Sequence, residues 1–172
     1  MPVEIKSIIK RQHHTALAMF KKAVETCPDD LWLAGTFPRN TWRIAYHALA
    51  FFHLYLYPNL ESWKKWPEHR IECTWLEGDD VLDLPPYTRQ QTLEFIELIK
   101  SEIDPQIDSL DFGGEEGGFS WYPNVGPAEL QVLSLRHFHG HLGQIAEILI
   151  AEGLDVEWIG QLQDSRAKTL AE

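Results

Sequence analysis

Eight histidines occur in the chain, and two of them have a spacing that suits metal binding on a helix. His137 and His141 are four positions apart in residues 130–149, LQVLSLRHFHGHLGQIAEIL. On a helix this spacing places both imidazoles on one face, one turn apart, and the flanking apolar residues predict that this face points to the core. The pair therefore predicts two ligands of a divalent metal ion. The alternative is a pair of hydrogen-bonded core histidines.

A third imidazole would complete a metal site that keeps one position open to solvent or substrate. His47 is the candidate because it shares a helical face with Ile44 and Phe51. His13 is the rival, since apolar residues flank it at helical spacing near the start of the chain. For His47 alone, the competing interpretation is a core histidine that donates to a backbone carbonyl.

The remaining histidines are expected to lie elsewhere. His53 follows His47 by six residues, roughly 240° around a helix, and so cannot share its face. His139 points into a second apolar stripe, which indicates that this helix is covered on two sides, within the fold or by a partner chain. The sequence places His14 and His69 at solvated or loop positions. The second stripe consists of Val132, Leu135, Leu142 and Leu149.

Four helices are predicted to position these side chains, in a single domain spanning residues 1–172. Apolar residues recur every three or four positions in residues 3–27, in a segment after the N-cap candidate Asn40, in a segment beginning near Tyr87 or Thr88, and in residues 127–153. Pro58 should end the second helix. Pro105 should kink or end the third helix near Asp104.

The connection between the second and third helices is long, and three tryptophans within it predict an ordered segment. Residues 58–86 are enough to run back along a helix of ~27 Å, so helices two and three can be parallel. Residues 111–127 contain several glycines and should form a loop before the fourth helix. The fold class predicted is all-α.

Composition excludes several classes of function. Fifteen Lys plus Arg against twenty-six Asp plus Glu give a formal charge of −11, which disfavours binding to nucleic acid and to anionic lipid. The most apolar segment is too short to span a membrane. Cys27 and Cys73 are the only cysteines, and no signal peptide precedes the first helix, so a reducing, cytoplasmic location is expected.

Two segments together resemble the DinB/YfiT-like family of metalloenzymes. They are Asn40-Thr41-Trp42 followed by His47, and the HxxxHxGQI motif at residues 137–145. The resemblance covers roughly residues 3–153. It implies a four-helix bundle with a long crossover between helices two and three. It also implies a divalent metal held by His47, His137 and His141.

The resemblance implies a class of chemistry and an oligomeric state. Characterised members of the family include transferases and isomerases that use bacillithiol, mycothiol or glutathione, and many are homodimers. We therefore expect a metal ion, which could be zinc, nickel, iron or cobalt, to activate a small-molecule thiol or water for transfer to, or hydrolysis of, a small electrophile. The alternatives are a non-catalytic metal-binding module with a stress-response or structural role, and a helical interaction protein whose histidines fill the core.

Further residues are candidates for supporting roles. Gln144 is close enough to His141 to contact it or a substrate, whereas Glu147 lies on a different face. Both cysteines lack an activating partner, with Cys27 expected to be buried and Cys73 open to solvent. Aromatic candidates for a pocket wall are Trp42, Trp121 and Tyr122. Cationic candidates that could offset the negative charge for an acidic thiol are Arg39, Arg43 and Arg136. Acidic residues expected on a solvated face of helix three are Glu94, Glu97 and Glu102.

Overall fold

The computed structural model describes residues 4–77 and 82–162 of the chain. Every regular element in these ranges is helical, which confirms the all-α prediction. Val3, residues 78–81 of the long connection and residues 163–172 of the predicted domain lie outside the described residues. The helices are α1 (Ile5–Thr26), α2 (Asp29–Leu33), α3 (Thr41–Leu54), α4 (Arg89–Ser109) and α5 (Pro127–Ala151), with a short 3-10 turn at Ile71–Cys73.

The ends of the long helices follow local sequence signals. Thr88 caps α4 with a capping box, in which its hydroxyl accepts from the backbone N–H of Gln91. Pro127 opens α5, and Gly153 adopts a φ of 75° just after the helix, as expected for a glycine stop. Asn40 does precede α3, but its side chain donates to carbonyls of the preceding loop and does not cap the helix.

One helix continues where the sequence predicted an interruption. We expected Pro105 to kink or end the third helix near Asp104, yet α4 runs on to Ser109. Ile103 and Ile107, on either side of the proline, are both fully buried in the core. The proline ring lies on the exposed face of α4, so it does not disturb this packing. The burial of the two isoleucines compensates for the backbone hydrogen bond that proline cannot donate.

Contacts between α3 and α4 show that these two helices run in the same direction. Tyr46 lies against Phe95, with 6.1 Å between ring centroids. Two turns further along both helices, His53 bonds to Glu102 at 2.7 Å. Glu102 was expected on a solvated face, but its carboxylate is instead occupied by this contact. Glu97, by contrast, is exposed as expected.

Contacts between α1 and α4 advance in opposite directions along the two helices. Lys10 near the start of α1 pairs with Asp108 near the end of α4, and Lys21 near the end of α1 pairs with Glu97. These two helices are therefore antiparallel. A second pair of helices, α3 and α5, is also in contact. None of the helices described is long and apolar enough to cross a membrane.

The connecting segments hold two features that the sequence did not predict. Residues 28–39 contain the five-residue helix α2, whose Trp32 is buried. Cys73, expected to be open to solvent, is fully buried, because the 3-10 turn packs its side chain against the core. Cys27 is also fully buried, as predicted, and both cysteines are free. Trp63 and Trp66 are buried within the long connection.

Candidate metal centre

Three imidazoles meet where α3 packs against α5. Gln131 near the start of α5 donates to the carbonyl of Tyr55 at the end of α3, which sets the two helices antiparallel. This arrangement brings His47 of α3 opposite His137 and His141 of α5. The predicted trio is therefore brought together, although the ligands lie on two helices far apart in sequence.

The inward atoms of all three rings are Nε2. The Nε2 atom of His137 lies 3.1 Å from that of His47 and 3.1 Å from that of His141. Ligand atoms of the three residues all lie within 4.8 Å of one another. In a tetrahedral site with metal–nitrogen bonds of about 2.0–2.1 Å, the nitrogens would be roughly 3.3 Å apart. The cluster is thus close to the size that one metal ion requires.

Hydrogen bonds on the outer side of two rings determine what the inner side presents. His47 Nδ1 is 2.5 Å from the carbonyl of Thr74, and a carbonyl can only accept, so this nitrogen carries the proton. His141 Nδ1 donates in the same way to the amide oxygen of Gln144 at 2.9 Å. In a neutral imidazole the other nitrogen is then an unprotonated acceptor. His47 and His141 therefore both point lone pairs at His137.

Hydrogen bonding among the rings alone cannot satisfy this arrangement. A single N–H on His137 Nε2 could be directed at His47 or at His141, but not fully at both. A cation at the centre would accept all three lone pairs at once. The donor set therefore fits a divalent metal ion, and His47, His137 and His141 could hold it.

The protonation states suit metal binding as well. The pKa of His47 is lowered to about 3, chiefly by burial and to a smaller extent by the neighbouring His141 and His137. Burial also lowers the pKa of His137 to about 4 and lowers that of His141. All three rings are therefore neutral near pH 7, the form in which imidazole binds metals.

The outer nitrogen of the third ligand lacks the partner that the other two possess. His137 Nδ1 is fully buried and has no hydrogen-bond partner among the described residues. Ser134, one turn earlier on α5, has a buried hydroxyl in the same condition. If a metal bound Nε2 of His137, the proton of the ring would be on Nδ1. The Nδ1–H group would then be a donor one helical turn from the Ser134 hydroxyl, which could accept its hydrogen bond.

The rival histidine lies apart from this cluster. His13 is fully buried on α1, where its Nδ1 donates to the carbonyl of Ile9 and its ring stacks on Phe52. It is therefore a core histidine of the kind considered as the competing interpretation. Burial lowers its pKa to about 4.

The other histidines also lie outside the cluster. His53, as expected, faces away from His47, and its ring is fully buried against Glu102. His139 is exposed on α5, so the second stripe is covered only in part. His69 lies in the long connection, in agreement with the loop position predicted for it, and is half-buried, with its Nδ1 bonded to the hydroxyl of Tyr46 at 2.6 Å. His14 is partly exposed and bonds to a carboxylate of α4.

Of the three cationic candidates, only Arg39 is near the centre. Its charge acts on His47 and His141 and lowers the pKa of both. Arg43 is fully buried away from the histidines and donates to the carbonyls of the long connection. Arg136 is exposed on α5.

A cavity of about 500 Å³ lies beside the histidines. Trp121 and Tyr122, two of the predicted wall residues, line it, whereas Trp42 is buried against Tyr87 elsewhere. Phe51 lies between the cavity and the cluster, with its ring centroid 4.9 Å from that of His47.

Sequence reasoning identified the three histidines that cluster and the Gln144 contact but missed the partner of His47. That partner is a backbone carbonyl at Thr74, in the long connection. Any residue type can supply a carbonyl, so no side-chain pattern could have identified this position. Its location depends on how the connection packs over α3.

Comparisons with known proteins give no relatives. No family model, no curated protein and no solved structure matches this chain.

Proposed function

We propose that this protein binds one divalent metal ion through His47, His137 and His141 and uses it in catalysis. The observation that carries the proposal is the convergence of three Nε2 atoms, two of which are fixed as unprotonated acceptors by their outer hydrogen bonds. Three protein ligands leave one tetrahedral position open, which is typical of catalytic rather than structural zinc sites.

The metal would supply a nucleophile at neutral pH, because a bound divalent ion lowers the pKa of a water or thiol that binds it. The thiol or water would lose its proton to solvent, and its sulfur or oxygen would form a bond to an electrophilic carbon of a small substrate. The leaving group departs with the electron pair of the bond that breaks. The products are a thioether in S-transfer, or an alcohol or acid in hydrolysis.

Several features of the chain support an external thiol as the nucleophile. Cys27 and Cys73 are fully buried, and burial raises the pKa of the Cys27 thiol to about 11. Neither sulfur belongs to the cluster of possible ligand atoms, which contains the three histidines alone among the described residues. Arg39 places a positive charge near the cluster, which would favour the thiolate form and any carboxylate of the thiol compound.

Membership of the DinB/YfiT-like family is part of this proposal. It rests on the motif HxxxHxGQI at residues 137–145, on His47, and on the helix directions. The four long helices, with α3 and α4 parallel, suit a bundle in which residues 55–88 form a long crossover. The free cysteines agree with the cytoplasmic location that we propose.

A homodimer is the proposed assembly. Val132 and Ile150 on α5 are 57% and 56% exposed, and between them lie Gly140 and Gly143. A Cβ atom added at either glycine would meet no other atom within 4 Å. A second copy could therefore approach this face of α5 closely.

Cobalt substitution tests whether the site is catalytic. The protein is stripped of metal, loaded with Co²⁺, and titrated with glutathione or bacillithiol while the visible and near-ultraviolet absorption is recorded. We expect a four-coordinate spectrum and a new sulfur-to-cobalt charge-transfer band as the thiol enters the open position. The matched activity assay measures S-transfer to 1-chloro-2,4-dinitrobenzene and hydrolysis of p-nitrophenyl acetate.

The non-catalytic alternative gives a different result in the same samples. A structural metal would show no change on adding thiol or competing small ligands, and its removal would unfold the chain. We expect the stripped protein to stay folded, because α3 and α5 also meet through buried residues such as Phe52 and Phe138, whose rings stack at 4.2 Å. Loss of the fold without metal would favour the structural role.

A further inference from the structure

The cavity beside the histidine cluster has a wall made of apolar and aromatic side chains. It encloses about 500 Å³, a volume in the range of small-molecule sites and too small for a helix. Residues from α3, the long connection and the loop before α5 contribute to it. The principal wall residues are Phe51, Leu54, Tyr55, Trp63, Trp75 and Trp121.

One end of this cavity is separated from the proposed metal centre by the Phe51 ring. Phe51 forms part of the wall, and its ring centroid is 4.9 Å from that of His47 and 5.6 Å from that of His137. Thr74 also lines the cavity, and its carbonyl is the acceptor that orients His47. A molecule in the cavity would therefore touch the residues that surround the metal ligands.

The wall offers no charged group to a ligand. None of the lining residues is Asp, Glu, Lys, Arg or His. Two polar atoms of the wall already have partners within the protein: Trp121 Nε1 donates to the Tyr55 hydroxyl at 3.2 Å, and Trp63 Nε1 donates to His53 at 3.1 Å. Moving an ionised group into this cavity would cost its hydration without a compensating contact.

The entrance exposes large apolar side chains to solvent. Four residues of the lining are each about half exposed: Leu60 at 50%, Ile71 at 50%, Trp75 at 53% and Trp121 at 45%. Such a cluster around a concave site is typical of a surface that becomes covered when a ligand binds. Its burial would favour a ligand with an apolar body.

We propose that this cavity binds the apolar body of a neutral electrophilic substrate, aromatic or branched alkyl, with its reactive carbon directed at the histidine cluster. The inference rests on the proposed function and adds the substrate class. It excludes substrates with a carboxylate or phosphate on the part that enters the cavity.

A matched pair of fluorescent probes tests this inference. N-phenyl-1-naphthylamine is neutral, and 1-anilinonaphthalene-8-sulfonate carries the same ring system with an added sulfonate. Both are titrated into the full chain, and fluorescence of the probe is recorded together with quenching of tryptophan. We expect a single site for the neutral probe per chain, with an affinity at least about tenfold higher than for the sulfonate.

Two substitutions locate the binding site. Leu60→Glu places a carboxylate at the half-exposed rim and should weaken binding of the neutral probe by at least about tenfold. Leu33→Glu changes a similarly exposed residue of α2 outside the cavity and should leave the affinity unchanged. Circular dichroism of both variants checks that the helices are retained.

The outcomes separate this inference from the proposed metal function. His137→Ala should abolish metal binding yet keep the neutral probe bound, so failure of the metal site leaves the probe result intact. Equal affinity for the two probes, or unchanged binding in Leu60→Glu, would overturn the inference. A third outcome would also overturn it. If the wild-type chain bound neither probe and Leu60→Glu converted a dimer into monomers, the cavity would be covered by a second copy of the chain and would not be a substrate site.

Discussion

At the scale of single residues, the outer hydrogen bonds of the clustered histidines are as informative as the histidines themselves. The carbonyl of Thr74 and the amide oxygen of Gln144 each fix one imidazole so that Nε2 presents a lone pair. The histidine pair on α5 could be predicted because a four-residue spacing determines a shared face. The carbonyl could not be predicted, since its position depends on tertiary packing.

Gln144 should control how tightly the metal is held. Gln144→Leu removes the acceptor for His141 Nδ1 and should weaken zinc affinity by about 10- to 100-fold. Gln144→Glu supplies a stronger, charged acceptor and should keep or increase the affinity. The measurement is competition with a chromophoric chelator. Glu147→Gln, whose side chain lies six residues past His141 and has no contact with it, is the control, and an affinity loss as large in this variant would argue against the assignment.

Ser134 should act as the outer partner of His137. Their buried Nδ1 and Oγ atoms lie one turn apart on α5 without other partners among the described residues. Ser134→Ala leaves the His137 N–H unpaired when metal is bound, so zinc affinity should fall by about tenfold or more. Ser109→Ala, at the exposed end of α4, provides the comparison. Equal affinities in both variants would show that Ser134 has no such role.

At the scale of the elements, the periodic segments were predictable and the connections were not. The helices α1, α3, α4 and α5 follow from apolar spacing, and Pro127 marks the start of α5. The helix α2 is too short to establish a period. The burial of Cys73 and the hydrogen bond between His69 and Tyr46 depend on how the long connection packs against the helices. The sequence of that connection has no periodic pattern from which its packing could be predicted.

Pro105 should lower the stability of α4 even though the helix accommodates it. Pro105→Ala restores an N–H that can bond to the carbonyl of Ser101, one turn earlier, and removes a clash with the same group. The free energy of unfolding should rise by about 1–3 kcal/mol, measured by urea denaturation. Lys100→Ala, also exposed on α4, should change it by less than about 0.5 kcal/mol. An unchanged or lower stability for Pro105→Ala would mean that the turn depends on the proline.

At the scale of the whole molecule, a buried histidine links the stability of the core to pH. His13 is fully buried beneath Phe52, and its ring donates only to the carbonyl of Ile9. Burial disfavours its charged form, so the folded chain holds it neutral while the unfolded chain titrates it near pH 6.5. The stability of the fold is therefore linked to pH through this residue.

His13 should reduce stability in acid. The folded pKa of about 4 lies below the unfolded value, so the unfolded state binds the proton first and stability falls as the pH drops from about 6.5 to 4. The loss should reach about 3 kcal/mol near pH 4. The measurement is the difference in unfolding free energy between wild type and His13→Gln at each pH. Thr15→Ala, a non-titrating change on α1, should show no such trend, and a pH-independent difference for His13→Gln would contradict the expectation.

The metal content of the untagged protein tests the central claim most directly. The chain is purified without a nickel column, dialysed, and analysed for zinc, nickel, iron and cobalt by elemental mass spectrometry. We predict one divalent ion per wild-type chain and almost complete loss in His47→Ala, His137→Ala and His141→Ala. His139→Ala, on the same helix but facing away, should keep the ion. Substoichiometric metal in the wild type that stays the same in all three ligand variants would contradict the account.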